Sequence, residues 1–443
     1  MNGQRTARLA PLVVGIVLVL GLAGAARAQS LLELYQAARG SDPVYLAARA
    51  QAESRTHFVA QQEALGRPSA SVSASTGRAV TNPPLGSTRT GGATSATLAA
   101  QYPLFNRPDR IAIEQAHRQL EAARYDLDAA EQDLIVRVAQ AYFDVLGAQD
   151  TLATAAQNKT AIDEQLASAK RNFEVGTATI TDTREAQARF DLARAQELIA
   201  ENDLQTKRIN LDQLVGRNGT QPRPLATPVA LPPLPSVSAD EWVTRGDLQH
   251  PDVRRAQIAY DTAKLETDKA RAARLPTVDL TGQVSTDRDR SLPSLNLDRN
   301  ENSAQVGVQL TMPLYTGERI QNRIKETLVL EEKAREDLEA ARRRVATLTR
   351  QTFFGLLSGE AQVKALEAAE SSSQLALEAT QLGYRVGVRV NLDVLNAQTQ
   401  LFTARRDLAR ARYDVLLNNL RLRQASGQLN PQDVANMNAL FVP

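Results

Sequence analysis

The chain has 443 residues, 43% hydrophobic yet only 4% aromatic, with a formal net charge of +2 and no cysteine. That charge is too small for a nucleic-acid footprint, and the missing cysteine excludes disulfides, thiolate zinc sites, thiol catalysis and a lipid-anchored N-terminal cysteine. Alanine and leucine supply most of the apolar content, and in long runs with Gln, Arg and Glu they point to extended helix rather than a thick globular core.

At the N-terminus, Arg5 and Arg8 precede an apolar run from Leu9 to Ala25, and "ARA" at Ala26 to Ala28 places small residues at both cleavage-critical positions. The pattern reads as a secretory signal peptide over 1–28. A membrane anchor is the rival reading, disfavoured because the run is short, glycine-interrupted and followed by a cleavage site. No other segment has about 20 consecutive apolar residues, so an exported chain that spans a membrane must do so with strands.

The mature chain repeats itself. "GRPSASVSAS" from Gly66 returns as "RLPTVDLTGQVS" from Arg274, "QYPLFNRPDRI" from Gln101 as "TMPLYTGERI" from Thr311, and "QAYFDVL" from Gln140 as "QTFFGLL" from Gln351. "NFEVGTATITDTREAQAR" from Asn172 likewise returns as "GYRVGVRVNLDVLNAQTQ" from Gly383. An offset held near 210 residues marks an internal duplication. A first repeat over 29–220 and a second over 246–428 flank a proline-rich connector over 221–245, and 429–443 form a tail. Proline at the density of "QPRPLATPVALPPLPS" excludes helix and central strand.

Each repeat opens with a helix started by Asp42-Pro43 or His250-Pro251, since proline suits the first helical position. Pro68 and Pro276 end these helices. Strands follow, about 69–77 and 94–103 in copy one and about 277–285 and 303–312 in copy two. Val278, Leu280, Gly282 and Val284 alternate with polar residues, as do Ala304, Val306, Val308, Leu310 and Met312. One apolar face at period two suits a transmembrane barrel strand, and equally a soluble antiparallel sheet with one wet face. The long polar hairpin tips "RAVTNPPLGSTRTGGA" and "TDRDRSLPSLNLDRNEN" favour the membrane. Helices without an internal proline then run from Arg107 to about Phe173 and from Glu318 to about Tyr384, each on the order of 100 Å long. Shorter helices run from about Asp182 to Leu214 and Leu392 to Ala425.

These helices carry heptads. Ile113, Leu120, Leu127, Leu134 and Ala141 recur every seventh residue, as do Val394, Leu401, Leu408, Val415 and Leu422. Alanine columns (Ala116, Ala123, Ala130; Ala397, Ala404, Ala411) run beside them, so a left-handed coiled coil with close approach is expected. An isolated rod would not carry two membrane-like hairpins. Four strands cannot close a barrel, for which about eight is a minimum. Strands from several chains must share one, and three chains, giving twelve strands, are preferred to two.

No catalytic site is visible. His57, His117 and His250 are scattered without metal-ligand spacing, and no phosphate loop or dinucleotide fingerprint occurs. Arg-rich "ARRRVATLTR" from Ala341 lies within the heptads and reads as a solvated helix face. Trp242 reads as a packing residue near the connector. No enzyme activity, cofactor, metal or nucleic-acid partner is therefore expected.

With its duplication, proline-bounded hairpins and two glycine motifs, the mature chain resembles the TolC family of outer-membrane channel-tunnels throughout. The resemblance implies a mainly α fold with a transmembrane β part: a homotrimer in which a twelve-stranded barrel in outer-membrane lipid continues as an α-helical barrel into the periplasm. It also implies a belt from the termini and connector, and partnership with a periplasmic adaptor and an inner-membrane ABC or proton-driven pump. A periplasmic coiled-coil adaptor or structural protein without a barrel is the alternative. The glycine motifs, centred on Gly176 and Gly387, would lie at the periplasmic tip. There the family bridges Tyr384 and Arg389 to Asp182, Gln165 matches a further hydrogen-bonding position, and Asp393 matches an acid ringing the lumen. Asn396 stands where a second acid is common. The bland reading makes Asp182 and Asp393 helix N-caps and the two glycines ordinary turn residues.

Overall fold

A computed structural model describes residues 28–81, 89–226, 231, 237–289 and 299–442. The expected signal peptide, save Ala28, therefore lies outside the described residues, as do the outer parts of both strand-hairpin loops and residues 227–230 and 232–236 of the connector.

Among the described residues the helices are α1 (Leu31–Ser41), α2 (Pro43–Glu63), α3 (Arg107–Glu174), α4 (Ile180–Val215), α5 (Ala239–Gln249), α6 (Pro251–Ala272), α7 (Arg319–Arg385), α8 (Asn391–Ala425) and α9 (Pro431–Asn438). The strands are β1 (Ser69–Thr81), β2 (Arg89–Phe105), β3 (Thr277–Asp289) and β4 (Arg299–Thr311). At 68 and 67 residues, α3 and α7 are rods of about 100 Å. Asn106 starts α3 by accepting from the Asp109 N–H, with Pro108 in the first turn. Its counterpart Glu318 has φ 64° beside Gly317 at 59°, and α7 begins without a side-chain cap.

Short helices α1, α5 and α9 precede or follow the repeats' main elements and were not expected. Each is capped through its own sequence: Ser30 and Glu33 form a reciprocal capping box, Asn430 and Asp433 another, and Ser238 accepts from the Glu241 N–H.

The strands form one antiparallel sheet in the order β1-β2-β3-β4, leaving β1 and β4 as edges of the single chain. Its register sorts residues by face. Val72, Leu98, Val284 and Ala304 share one rung, Ala70, Ala100, Gly282 and Val306 the next, then Tyr102, Leu280 and Val308, then Phe105, Val278 and Leu310. The opposite face carries Ser71, Ala99, Gln283 and Gln305, then Ser73, Thr97, Ser285 and Ser303. The strands run beyond the expected bounds, to Thr81 and Arg89 in copy one and to Asp289 and Arg299 in copy two, and hydroxyl pairs join β1 to β2 within them: Ser75 and Ser95 lie 2.8 Å apart and Thr76 and Thr94 3.2 Å apart.

The largest core sits midway along the helices. There α1, α9 and the start of the connector wrap α3, α4 and α8, burying Tyr142, Leu146, Leu211, Leu416 and Leu420 to 1% exposure or less. Tyr142 packs edge-on against Phe441, and Phe143 stacks on Tyr413. Short bridges join Gln29 to Pro222 and Leu225 to Phe441, tying both ends of the chain to the connector. Trp242 fills a second cluster with Phe353, Leu356 and Val415. The α8 heptad column of Val394, Leu401, Leu408, Val415 and Leu422 is fully buried, whereas of the α3 column only Leu134 is.

Candidate functional site

At the far end from the sheet, α3 turns into α4 and α7 into α8 by the same backbone device. The Gly176 N–H donates to Phe173 O at 3.0 Å and the Thr177 N–H to Asn172 O at 2.8 Å. In copy two the Gly387 N–H donates to Tyr384 O at 3.1 Å and the Val388 N–H to Gly383 O at 2.8 Å. These are the paired bonds of a Schellman ending. They require a left-handed residue, which is why glycine stands at φ 79° (Gly176) and 77° (Gly387).

Beyond the turns the copies diverge. Thr179 caps α4: its hydroxyl accepts from the Asp182 N–H at 3.2 Å, while Asp182 Oδ2 accepts the Thr179 N–H at 2.9 Å and its hydroxyl at 2.8 Å. Asp182 is thus the third residue of a capping box rather than the cap itself. The equivalent cap of α8 is Val390, which has no side-chain acceptor, and Asp393 occupies the position of Asp182. Asp393 instead meets Arg389 at 3.6 Å, with both side chains partly exposed. Arg389 reaches it by lying across Gly383, where an added Cβ would come within 2.8 Å of the arginine Cγ. Within one chain, Asp182 is held by its own turn and Arg389 by Asp393. The expected contact of Tyr384 or Arg389 with Asp182 is not made there.

Two other bonds join the hairpins. Asn172 donates through its amide nitrogen to the Tyr384 hydroxyl at 3.1 Å, and Arg189 donates through Nη2 to Asn396 Oδ1 at 3.1 Å. Gln165, on α3, has a shielded Oε1 with no partner among the described residues. Asn391, in the first turn of α8, is 4% exposed, and neither its amide oxygen nor its nitrogen finds a partner there. Among the described residues no group of acids and histidines could hold a metal ion, and no helix is long and apolar enough to cross a membrane.

A family model described as "Outer membrane efflux protein" matches residues 34–217 and 246–428, one match per repeat. The chain belongs to the outer membrane efflux protein family. It is 32% identical to the outer membrane protein TolC of Vibrio cholerae over 435 residues, 98% of each chain. It is also 32% identical to the alkaline protease secretion protein AprF of Pseudomonas aeruginosa over 348 residues, 78% of this chain and 72% of that one. The crystal structure of the CmeC outer membrane channel of Campylobacter jejuni superimposes with a TM-score of 0.78 at 18% identity, covering 92% of this chain and 89% of that one, which supports the fold alone. This family member is therefore an outer-membrane protein serving as the exit duct of efflux or secretion. The soluble-sheet and barrel-free readings fall away, because the chain belongs to a family of outer-membrane efflux proteins.

Three residues of the efflux protein's tips escaped sequence reasoning: Asn172, Arg189 and Asn391. Asn172 aligns with Gly383 between the repeats, and that asymmetry was the one available signal.

Proposed function

We propose that the protein works as a homotrimer whose twelve strands close one barrel, and that its helices form a tunnel gated at the tips. The observation that carries this reading is the four-stranded sheet, apolar on one face and unpaired at β1 and β4. An unpaired sheet edge is untenable in lipid, so the edges need the strands of further copies. Val306, Val308 and Leu310 are 82%, 65% and 65% exposed on the single chain, as a lipid-facing stripe would be. Exposed Leu198 and Ile199 on α4 and Leu375 and Leu382 on α7 suit contact with neighbouring copies.

The gate comprises Gln165, Asp182, Tyr384 and Arg389, with Gly176 and Gly387 shaping the turns and Asp393 and Asn396 facing the constriction. Since Asp182 is occupied within its own chain, its contact with Tyr384 or Arg389 would run between chains and compete with Thr179. Gln165, with an unused shielded acceptor, fits a further link. Such exposed bonds contribute roughly 0–1 kcal/mol each, enough in sum to hold a closed state and little enough to yield to a partner. The partners are a periplasmic adaptor and an inner-membrane ABC or proton-driven pump, which supplies energy and selects cargo. The protein has no catalytic role of its own.

Planar bilayers test this. The purified protein should form channels of low conductance that rises in Tyr384→Phe and Arg389→Ser. A protein that forms no channels, or is absent from washed outer membranes, would refute the duct. Unchanged conductance in both variants would remove them from the gate.

A further inference from the structure

The Arg189–Asn396 bond joins helices from the two repeats, α4 and α8, 207 positions apart in sequence. It lies in the third turn of α4 and the second turn of α8, the helix that carries Asp393. Asn396 is exposed, so burial does not dictate its identity. Its Oδ1 faces a guanidinium at 3.1 Å and accepts from it. Arg189 has no carboxylate within ion-pairing distance among the described residues, so this amide is its one side-chain partner. The Asn172–Tyr384 bond spans the same pair of hairpins nearer the tip, again between a copy-one donor and a copy-two acceptor.

We infer that Arg189 and Asn396 are positioning residues of the gate, forming with Asn172 and Tyr384 a two-point latch that ties the α3–α4 hairpin to the α7–α8 hairpin of the same chain. The inference rests on the gated-duct reading. A single hydrogen bond between one donor and one acceptor resists separation but not rotation. A second bond between the other two helices of the same hairpins, α3 and α7, also fixes the angle between hairpins. One bond ties α4 to α8 and the other α3 to α7, so together they hold the two hairpins in register, and neither does so alone. Asn396 fills this role without needing a carboxylate. It accepts one directed bond without adding negative charge beside Asp393, whose own carboxylate is met by Arg389 at 3.6 Å.

The test is single-channel conductance of the full-length protein in planar bilayers, with insertion itself reporting a folded channel. Losing one such hydrogen bond should move the closed-to-open ratio by roughly 2- to 10-fold. Arg189→Ala and Asn396→Ala should each raise mean conductance or open probability, and the double variant should exceed neither single one. Asn396→Asp keeps the acceptor and should behave as the unsubstituted protein, but only while Arg189 is present. Should Tyr384→Phe raise conductance while Arg189→Ala and Asn396→Ala leave it unchanged, the latch is refuted and the gate stands. Additive effects of the two alanine variants would also refute it, since independent pore-lining residues add. If the unsubstituted protein is already fully open and no tip variant changes it, the gated-duct reading itself fails.

Discussion

Val308→Lys places a charge on the apolar face of the sheet. Val308 shares its rung with Leu280 and Tyr102, and apolar rungs flank it on both sides: Val306, Gly282 and Ala100 on one, Leu310, Val278 and Phe105 on the other. It therefore sits near the centre of the lipid-facing band. A lysine near the bilayer midplane costs about 2–4 kcal/mol, or roughly 30- to 1000-fold in the folding equilibrium of each chain. Gln305→Lys is the control. Three residues away and on the opposite face, it shares a rung with Gln283, Ala99 and Ser71 and would meet water in the lumen. Urea titration of refolding into phosphatidylcholine vesicles reads the difference directly. Val308→Lys should lose most of its folded fraction under conditions where Gln305→Lys retains it. Equal stability, or the reverse order, would show that the apolar rungs do not face lipid and would refute the barrel.

Gly387→Ala forces an alanine to φ 77°, costing roughly 1–2 kcal/mol, so amide exchange at the α7–α8 turn should accelerate about 5- to 30-fold while the belt is unaffected. His250 caps α6 by accepting the Asp252 N–H on Nδ1 at 3.1 Å, and burial lowers its pKa against the opposing pull of Asp252. Neutral in the folded protein and protonated when unfolded, it contributes stability above its ordinary pKa of 6.5 that is lost as pH falls toward the depressed folded value. His250→Asn keeps a cap and should flatten that part of the thermal-stability profile. Tyr413 donates to Asp150 at 2.7 Å, and burial raises the Asp150 pKa while this bond opposes the rise. Tyr413→Phe should cost about 1–2 kcal/mol in chemical denaturation at neutral pH, the deficit shrinking toward acid as the carboxyl takes up a proton.

What could be read from the sequence is what local physics fixes. Gly176 and Gly387 mark left-handed turns because few other residues tolerate that φ. Pro43 and Pro251 mark helix starts, and the α8 heptad column is buried along its full length. Helices α1, α5 and α9 were missed although Ser30–Glu33, Ser238–Glu241 and Asn430–Asp433 spell capping pairs, because 8 to 11 residues are too few to show a helical period. The tip contacts were beyond reach for another reason. Asn172 and Tyr384 lie 212 positions apart, and nothing local to either names the other. Arg389 could pair with Asp182 or Asp393 on charge alone. The bare surface of Gly383, together with the capping box that already occupies Asp182, turns it to Asp393 within the chain.

Two kinds of contact along the same rods explain how one end can move while the middle stays fixed. In the belt, Arg137 pairs with Asp42 at 2.6 Å and Arg423 with Asp433 at 2.7 Å, the acids being 2% and 7% exposed. Breaking either pair would strand a buried carboxylate at a cost of about 3–5 kcal/mol, and the aromatic cluster around Tyr142 would have to separate as well. At the tips the inter-hairpin bonds are single, and none joins fully buried groups: Asn396 is exposed, and Asn172, Tyr384 and Arg189 are half-buried. Their loss leaves groups that solvent can satisfy, so each costs only about 0.5–1.5 kcal/mol. A partner that prefers the splayed tips by a few kcal/mol can therefore shift the tip population without loosening the belt. Rods of about 100 Å anchored at the middle also turn a small rotation there into a large displacement at the tip, so opening needs no refolding of the helices. Repeating the plan gives each half a helical hairpin on a common anchor. Placing Asn172 and Arg189 in one copy and Tyr384 and Asn396 in the other puts weak, separable contacts at the end that the proposed gate would open.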